Sequence, residues 1–346
     1  MTKRIYIRSS EQISLQQPLS EAWINAPVPA DKPYMRAADP DFRQWLSPAE
    51  SRRMGRILKR ALVTALEALR RAEIERPDAI LVGTGLGCME NTERLLETLC
   101  RDGESMLSPT HFMQSTHNTL AALLAIHTKA HGYNITYSHK DLSFDLALWD
   151  ARTQLLQGAI HTALVGGYDE LTPSYFTLLE RIGYMGGGMP MTGSEAAVSM
   201  LLTDCEEGAL CELAAMRVLY RPTEDELRQA LDEVMAEAGI VRDGLSGVLT
   251  GIHGNPKVEA AYNRLTGALL PGVPTLRYQH LFGTSYTASA YAVHVAAHCL
   301  ACGTLPETLR YGAAPLRTGR SQALLLLNQR AEKHYSLTIL RALCGN

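Results

Sequence analysis

The feature that most constrains the fold is a repeated alternation of short apolar runs with longer helical patterns. "AILVG", "ALVGG" and "AAVSMLL" are continuous apolar runs typical of strands buried on both faces. Between them, "ENTERLLETLC" and similar segments carry apolar residues at three and four spacing, the period of an amphipathic helix. Strands that alternate with helices predict an α/β protein whose parallel sheets are covered by helices on both faces.

The same alternation occurs twice along the 346 residues. We predict two fused, pseudo-duplicated halves, residues 1–208 and 209–346, because no proline-rich or serine-rich linker separates them. Such halves form one compact unit that shares a core. Residues 1–48 are irregular and are expected to wrap over the surface. The first predicted helix follows them, and Ser47 and Glu50 form a capping box at its start.

Charge and hydropathy exclude several classes of protein. The formal net charge is −3 and the basic residues are spread along the chain, which argues against nucleic acid or an anionic membrane as a partner. "MTKRIYIRSSEQ" lacks the apolar stretch of a signal peptide, and the most apolar helix, residues 287–303, is short for a membrane span. We therefore expect a cytoplasmic protein whose partners are small molecules or proteins.

A glycine run follows the first buried strand, in "VGTGLGCME". Gly83, Gly85 and Gly87 match a dinucleotide fingerprint only in part, because Cys88 occupies the position where the last glycine would lie. Glycines that serve a tight strand exit explain the run better. An NAD(P)-dependent oxidoreductase stays open as an alternative, and no cofactor is expected.

Two pairs of histidines stand four residues apart, His127 with His131 and His294 with His298. On a helix this spacing places both rings on one face, but neither pair has the acidic residue of a zinc-binding H-E-x-x-H motif. No metal site is predicted.

His253 and His280 have a more suggestive setting. His253 directly follows a buried strand in "LTGIHGNP", and His280 precedes a glycine turn and an apolar helix in "YQHLFG". Reacting groups collect at strand ends in parallel sheets. Two imidazoles aimed at one point could hold a developing oxyanion or enolate.

The segment "NITYSHKDLSFDLALWDA", residues 134–151, has the frame of a nucleophile turn: strand, polar turn, apolar helix. Ser138 and Asp141 are expected to form a capping box, which places Lys140 in the first helical turn. A cysteine there would become a good nucleophile near the helix N-terminus. A lysine that took up an acyl group would form a stable amide, so position 140 is predicted to be chemically silent.

The order of six segments resembles the β-ketoacyl synthases of the thiolase fold. In chain order they are "SRRMGRILKRALVTALEAL", "AILVGTGLG", the segment at 107–138, "ALVGGYDELTP", "GSEAAVSMLL", and "IHGNP" with "QHLFG", which fall where the family has its two histidines. The resemblance covers the chain from about residue 40. It implies a five-layered α-β-α-β-α arrangement.

The departures from this family are specific. Its cysteine maps onto Lys140, and the lysine that usually precedes its second histidine by a few residues maps near Thr275. Its glycine-rich gating loop is replaced by "NQRAEKHYS" at 328–336. This combination is similar to a chain-length factor, the cysteine-less subunit that forms a heterodimer with an active synthase. "FMQSTHNT" and "YSHKDLSFD" are most similar to the branch found with bacterial aryl polyene and flexirubin-type pigment synthases.

This resemblance implies partners and candidate residues. The strand "YNITYS", with Ile135 and Tyr137, would pair across a two-fold axis with the active β-ketoacyl synthase, and an acyl carrier protein would deliver acyl or malonyl chains. A helix at 112–123 would close the partner's acyl tunnel with its side chains, namely Phe112, Met113, Thr116 and Leu120. The chain itself would be non-catalytic; a malonyl carrier protein decarboxylase that uses His253 and His280 is the alternative.

Overall fold

The computed structural model describes residues 3–104, 107–185, 191–317 and 322–343. Its first seven strands lie in the N-terminal half: β1 (Tyr6–Ile13), β2 (Tyr34–Met35), β3 (Ala79–Gly83), β4 (Tyr133–Tyr137), β5 (Thr162–Asp169), β6 (Gly193–Ser194) and β7 (Ala196–Thr203). Seven helices accompany them: α1 (Pro48–Arg53), α2 (Arg56–Arg71), α3 (Met89–Asp102), α4 (Pro109–Ser115), α5 (Thr119–Thr128), α6 (Ser143–Gln157) and α7 (Pro173–Arg181).

The C-terminal half repeats this content in a shorter form. Its strands are β8 (Cys211–Tyr220), β9 (Gly247–Thr250), β10 (Thr275–Arg277), β11 (Ala323–Arg330) and β12 (His334–Arg341). Its helices are α8 (Glu224–Ala238), α9 (Pro256–Leu269), α10 (Gln279–Phe282) and α11 (Ser289–Cys302). A boundary at residues 208 and 209 would fall in the connection between β7 and β8, and it stays a prediction.

Ten strands form one sheet in the order β10-β9-β11-β12-β8-β1-β7-β5-β3-β4. Read outward from its centre, the sheet consists of two half-sheets, β1-β7-β5-β3-β4 and β8-β12-β11-β9-β10. In each half-sheet the first three strands are antiparallel to one another in sequence, and the last two run parallel to the third. The prediction of purely parallel sheets is therefore wrong. A tight turn joins β11 to β12, and a strand that returns through a tight turn must run antiparallel.

The strands separate three apolar clusters, which makes five layers. Leu81 of β3 and Leu326 of β11 face a central cluster that holds α6 and α11. Ile80 of β3 faces an outer cluster with α2 and α5, and Leu325 of β11 faces another with α8 and α9. Because successive strand residues point to opposite faces, each half-sheet contributes to the shared centre and to its own outer core. The expected five-layered arrangement is confirmed.

β1 corrects the view that residues 1–48 only wrap over the surface. This strand lies in the middle of the sheet, antiparallel to β7, and it meets β8 where Tyr6 and Ile7 face Glu212 and Cys211. Its polar residues Ser9 and Ser10 are buried, as are Glu11 and Gln12. Hydrogen bonds of Ser9, Ser10 and Gln12 and an ion pair of Glu11 with Arg71 replace contacts with water, so a buried strand formed without an apolar run.

The helix boundaries differ from expectation in two places. The Ser47–Glu50 capping box is confirmed, but α1 ends at Arg53 and α2 begins anew at Arg56. The helix expected at 112–123 is divided between two helices, α4 and α5, because the backbone at Thr116 is extended. No helix among the described residues combines the length and the apolarity needed to cross a membrane.

Candidate functional site

The turn after β4 holds Lys140 in an unusual backbone conformation. Lys140 is exposed and has φ of +47°, in the left-handed region that disfavours residues with a Cβ. The expected capping by Ser138 is wrong: residues 140–142 form a turn of 3-10 helix, and α6 begins at Ser143. Ser143 Oγ instead accepts from the His139 N–H at 2.8 Å and donates to the Lys140 carbonyl at 2.7 Å. The two hydrogen bonds of Ser143 hold the turn and its left-handed residue Lys140 in place.

This turn lies against one edge of the C-terminal half-sheet. β9, β10 and β11 are parallel, with Thr250 opposite both Arg277 and Leu327, so all three end at the same edge. Asn328 Nδ2 donates to the Asp141 carbonyl oxygen at 3.3 Å, and Arg330 Nε lies 3.3 Å from Asp141 Oδ2. The turn is thus placed at the edge where the two histidine segments leave the sheet.

His253 follows β9 by three residues and is buried. Burial lowers the pKa of its imidazole to about 4, so the ring is neutral at pH 7. Its Nδ1 accepts from the Asn255 N–H at 3.4 Å, which leaves the proton on Nε2. His253 therefore retains one N–H that a ligand could use.

His280 follows β10 by the same three residues, but its N–H donor is occupied. Nε2 donates to the Thr308 carbonyl oxygen at 2.8 Å. Burial, reinforced by the charge of Arg277, lowers the pKa of this ring to about 4. A neutral imidazole has one N–H, so Nδ1, which is buried without a hydrogen-bond partner among the described residues, is an acceptor only. In this arrangement His280 cannot donate to an oxyanion.

The two histidines share an edge without forming a pair. Neither a hydrogen bond nor a ring contact joins His253 and His280 in the described structure. The structure thus brings Lys140, His253 and His280 to one region, while it turns His280 toward residues 307–309.

The glycine run is occupied by the protein itself. The N–H groups of Gly85 and Leu86 both donate to Asp169 Oδ1 at 2.9 Å. A dinucleotide pyrophosphate needs free N–H groups at the strand exit, and these two N–H groups already bind Asp169. At Gly83, a Cβ would lie 2.4 Å from the backbone nitrogen of Phe144, so this glycine serves the close approach of α6.

The two histidine pairs are also accounted for structurally. His131 lies beyond α5, which ends at Thr128, so it does not share a helix face with His127. In α11, His294 Nδ1 lies 2.9 Å from Ser10 Oγ, and His298 Nε2 donates to the Ser10 carbonyl at 3.1 Å. Both α11 rings are buried against β1.

A buried carboxylate that the sequence interpretation missed links the halves. Asp145 in α6 accepts from Ser289 at 2.7 Å, from Asn328 at 3.0 Å and from Ser336 at 2.5 Å. Burial raises the pKa of Asp145 above its usual range. The available signal was one acidic residue in the apolar stretch "SFDLALW", whose partners lie more than 140 positions away.

The candidate tunnel residues fall into two groups. Phe112 and Met113 are 63% and 68% exposed, and Thr116 is exposed beside them. Leu120 is fully buried in the outer core of the N-terminal half, because α5 turns that face toward α2. Ile135 and Tyr137 of β4 are half-buried against the central core.

Comparison with solved structures shows a shared fold. The structure described as the ishigamide ketosynthase/chain length factor matches with a TM-score of 0.83 and 16% identity, over 99% of this chain and 100% of that chain. A β-ketoacyl synthase from Burkholderia phymatum STM815 matches with a TM-score of 0.81 and 15% identity, with the same coverage.

A third structure is the ketosynthase ApeO in complex with its chain length factor ApeC from Xenorhabdus doucetiae. It matches with a TM-score of 0.77 and 14% identity, over 99% of this chain and 98% of that chain. No curated protein sequence matches significantly. The profile of the family described as "Beta-ketoacyl synthase, N-terminal domain" matches residues 21–239, well over half of the chain. By this match and by its thiolase-like fold, the chain belongs to the β-ketoacyl synthase family.

Proposed function

We propose that this protein is a non-catalytic chain-length factor that forms a heterodimer with an active β-ketoacyl synthase. The observation that carries the proposal is a strained, exposed turn that holds Lys140 directly after β4, whose outer edge pairs with no strand among the described residues. In the proposed complex the partner condenses malonyl units delivered by an acyl carrier protein. This chain supplies the surface that limits product length.

The first support is the loss of acyl-accepting chemistry. Cys88, the cysteine of the glycine run, is fully buried, and burial raises the pKa of its thiol to about 12. Cys299 is likewise buried, with the pKa of its thiol raised to about 12. Such thiols are poor nucleophiles at pH 7. With Lys140 at the turn and His280 donating to Thr308, the described site offers no acyl acceptor beside an oxyanion donor.

The second support is the edge of β4. β4 pairs with β3 and ends the sheet, so in the described structure no strand pairs with its other edge. At the opposite end of the sheet, β10 is covered by the chain at 310–311 through a bridge from Leu276 to Arg310. An edge strand left open in this way can pair with a strand of another subunit.

The third support is the apolar surface that flanks β4. α5 and α6 pack on the two faces of this strand and expose Ile126 and Trp149, respectively. Tyr133 is exposed within the strand itself. An open strand edge between exposed apolar side chains has the character of a subunit interface.

Product length is assigned to the exposed residues of α4 and to Thr116, which directly follows this helix. Phe112, Met113 and Thr116 project from the surface of the N-terminal half, where a partner's growing chain could meet them. We exclude Leu120 from this role because it lies in the core. An aryl polyene or flexirubin-type product is the finer part of the proposal, and it rests on the resemblance of "FMQSTHNT" and "YSHKDLSFD" to that branch of the family.

Co-expression with an active β-ketoacyl synthase encoded next to this chain tests the proposed heterodimer. The proposal expects co-purification as a one-to-one complex. Ile126→Asp should abolish the complex, because a carboxylate would be desolvated at the interface. Val241→Asp is the matched control: Val241 is 73% exposed, against 74% for Ile126, and lies in the C-terminal half. A stable homodimer of this chain alone, or equal complex formation by both variants, would contradict the proposal.

Product analysis tests the length assignment. Phe112→Ala or Met113→Ala should lengthen the products of the reconstituted pair, because each substitution removes a large side chain from the proposed end of the tunnel. Leu178→Ala, which trims an apolar residue of α7 with 54% exposure, is the control and should leave the products unchanged. Unchanged products from every trimmed position in α4 would refute the assignment.

A further inference from the structure

A buried carboxylate lies on the α6 face of the edge strand β4. Asp150 of α6 is 8% exposed, and its Oδ2 accepts from the Tyr133 and Tyr137 hydroxyls at 3.0 Å each. These tyrosines begin and end β4 and point to the same face, because their positions differ by an even number. Since both hydroxyls reach one oxygen atom, the carboxylate lies under the middle of the strand, near Ile135.

Asp150 has no cation beside it in its own chain. In the described structure its hydrogen bonds come from neutral donors, namely the two tyrosines and Gln154, whose Nε2 donates to Oδ1 at 3.3 Å. Arg152, the one cation of α6, binds Glu237 at 2.6 Å instead. Burial, together with the neighbouring Asp150 carboxylate, raises the pKa of both tyrosines, so they remain donors. The middle of β4 therefore carries a negative charge that the described residues leave without a cation.

Positive charges flank this carboxylate at both ends of β4. Lys129 lies shortly before the strand, and Lys140 lies shortly after it. Both lysines are exposed, and neither forms an ion pair among the described residues. The carboxylates near the two ends are bound elsewhere: Asp78 accepts from the N–H groups of residues 161 and 162, and Asp141 faces Arg330. The order of free charges along β4 is therefore positive, negative, positive.

This order reads the same from either end, which matters for self-pairing. Two copies of β4 that pair antiparallel about a twofold axis, with all five residues paired, are centred on Ile135. Each Asp150 then faces Asp150 of the other copy, about one or two strand spacings of ~4.8 Å away. The Lys129 end of each copy meets the Lys140 end of the other. A homodimer thus places like charges against each other at all three points.

We propose that this charge order makes β4 select the synthase over a second copy of the same chain. The synthase would present a cation to Asp150 and carboxylates to Lys129 and Lys140. The inference rests on the proposed function, to which it adds the charge pattern of the partner. Complementary charges favour the heterodimer, while like charges disfavour the homodimer. The backbone edge of β4 stays free in both cases, so the charges rank the two partners without blocking self-pairing outright.

The aromatic surroundings of Asp150 favour arginine as the partner's cation. Trp149 is 44% exposed and Tyr133 is 39% exposed, so both rings offer surface beside the carboxylate. A planar guanidinium can stack on an aromatic ring while it pairs with a carboxylate, which the compact ammonium group of lysine does less well. We therefore expect an arginine of the synthase to lie opposite Asp150.

Self-association of the isolated chain, measured by sedimentation velocity, tests the two ends of β4. Lys140→Glu should strengthen self-association about tenfold or more, because Lys129 of one copy then meets a carboxylate of the other. Lys129→Glu/Lys140→Glu should return self-association to the wild-type level or below, because like charges meet again. Lys257→Glu makes the same charge change at an exposed position of α9 and should behave as wild type.

Affinity for the synthase, measured in the same way, tests the middle of β4. Asp150→Asn keeps the shape of the side chain and an acceptor for the tyrosines but removes the charge. It should weaken the heterodimer about tenfold or more and strengthen self-association, and the wild-type heterodimer should weaken as salt rises from about 50 to 500 mM. A purely structural role would not move the two associations in opposite directions. Thermal unfolding of each variant keeps loss of folding separate from loss of assembly.

Two outcomes would overturn the proposal. One is equal self-association by Lys140→Glu and by Lys129→Glu/Lys140→Glu, and the other is a shift of both associations in the same direction in Asp150→Asn. A wild type that does not bind the synthase would refute the proposed function and, with it, the choice of partner. The self-association series would still decide whether the charge order opposes a second copy.

Discussion

The side-chain amide of Asn328 donates a hydrogen bond to the carboxylate of Asp145 over 3.0 Å, which ties β11 of one half to α6 of the other. Asp145→Ala would leave two buried serine hydroxyls without their acceptor, and it would leave the half-buried amide with only the Asp141 carbonyl oxygen. We expect a loss of about 3 kcal/mol or more in the free energy of unfolding, measured by urea denaturation. Asp31→Ala, at an exposed loop position, should change it by less than about 0.5 kcal/mol. Equal effects would mean that the carboxylate does not hold the halves together.

Gly83 and Gly267 should respond to alanine in opposite directions. A Cβ at Gly83 would lie 2.4 Å from the Phe144 backbone nitrogen, whereas none of the neighbouring atoms comes within 4 Å at Gly267 in α9. Gly83→Ala should destabilise by about 3 kcal/mol through overpacking, and Gly267→Ala should stabilise by about 1 kcal/mol through helix propensity. Thermal unfolding of the two variants measures both, and a tolerated Gly83→Ala would argue against the close approach of α6.

The buried Asp169 predicts a pH dependence. Burial raises the pKa of its carboxyl from 3.8 to about 6, despite hydrogen bonds from Leu86 and Gly85. The folded state therefore holds this proton to higher pH than the unfolded state. The contribution of Asp169 to the free energy of unfolding is fully present below about pH 4 and is lost as the pH rises through about 6. Asp169→Asn should remove that slope, a difference of about 3 kcal/mol between pH 4 and 7 at about 1.4 kcal/mol per unit. Parallel urea profiles of the variant and the wild type would show that the carboxyl does not titrate as described.

Restoring a thiol should not restore catalysis. Lys140→Cys places an exposed thiol on the strained turn, and mass spectrometry should find residue 140 alkylated by iodoacetamide. Because His280 gives its N–H to Thr308, this variant should neither condense nor decarboxylate labelled malonyl carrier protein. The wild type should match His280→Ala in carbon dioxide release. Release above that control would favour the decarboxylase alternative.

Local patterns predicted much of the fold. The apolar runs became β3, β5 and β7, and the predicted capping box of Ser47 and Glu50 starts α1. β1 escaped prediction because its burial depends on partners such as Ala68, whose carbonyl oxygen accepts from Ser9 across 59 positions. Strand direction also depends on where the chain re-enters the sheet, which apolar periodicity does not encode.

The sequence indicated the location of the candidate site better than the hydrogen bonding of its side chains. The turn at Lys140 and the segments of His253 and His280 do meet at one sheet edge. The orientation of His280 depends on Thr308, a residue 28 positions away in an irregular segment. The Asp145 network likewise needs three segments that only the tertiary structure brings together. Contacts of this kind have no local sequence signal.

The open edge of β4 has a consequence for how the protein must be produced. Its sequence, "YNITY", is rich in β-forming residues. It contains neither proline nor a charged residue, the kinds of residue that protect exposed edges from aggregation. Tyr133 and Tyr137 both donate to Asp150 at 3.0 Å, which holds the strand in place and keeps its free backbone groups presented. A copy of the chain whose β4 edge stays unpaired can therefore pair with another copy, so expression without the proposed synthase partner is expected to favour aggregation.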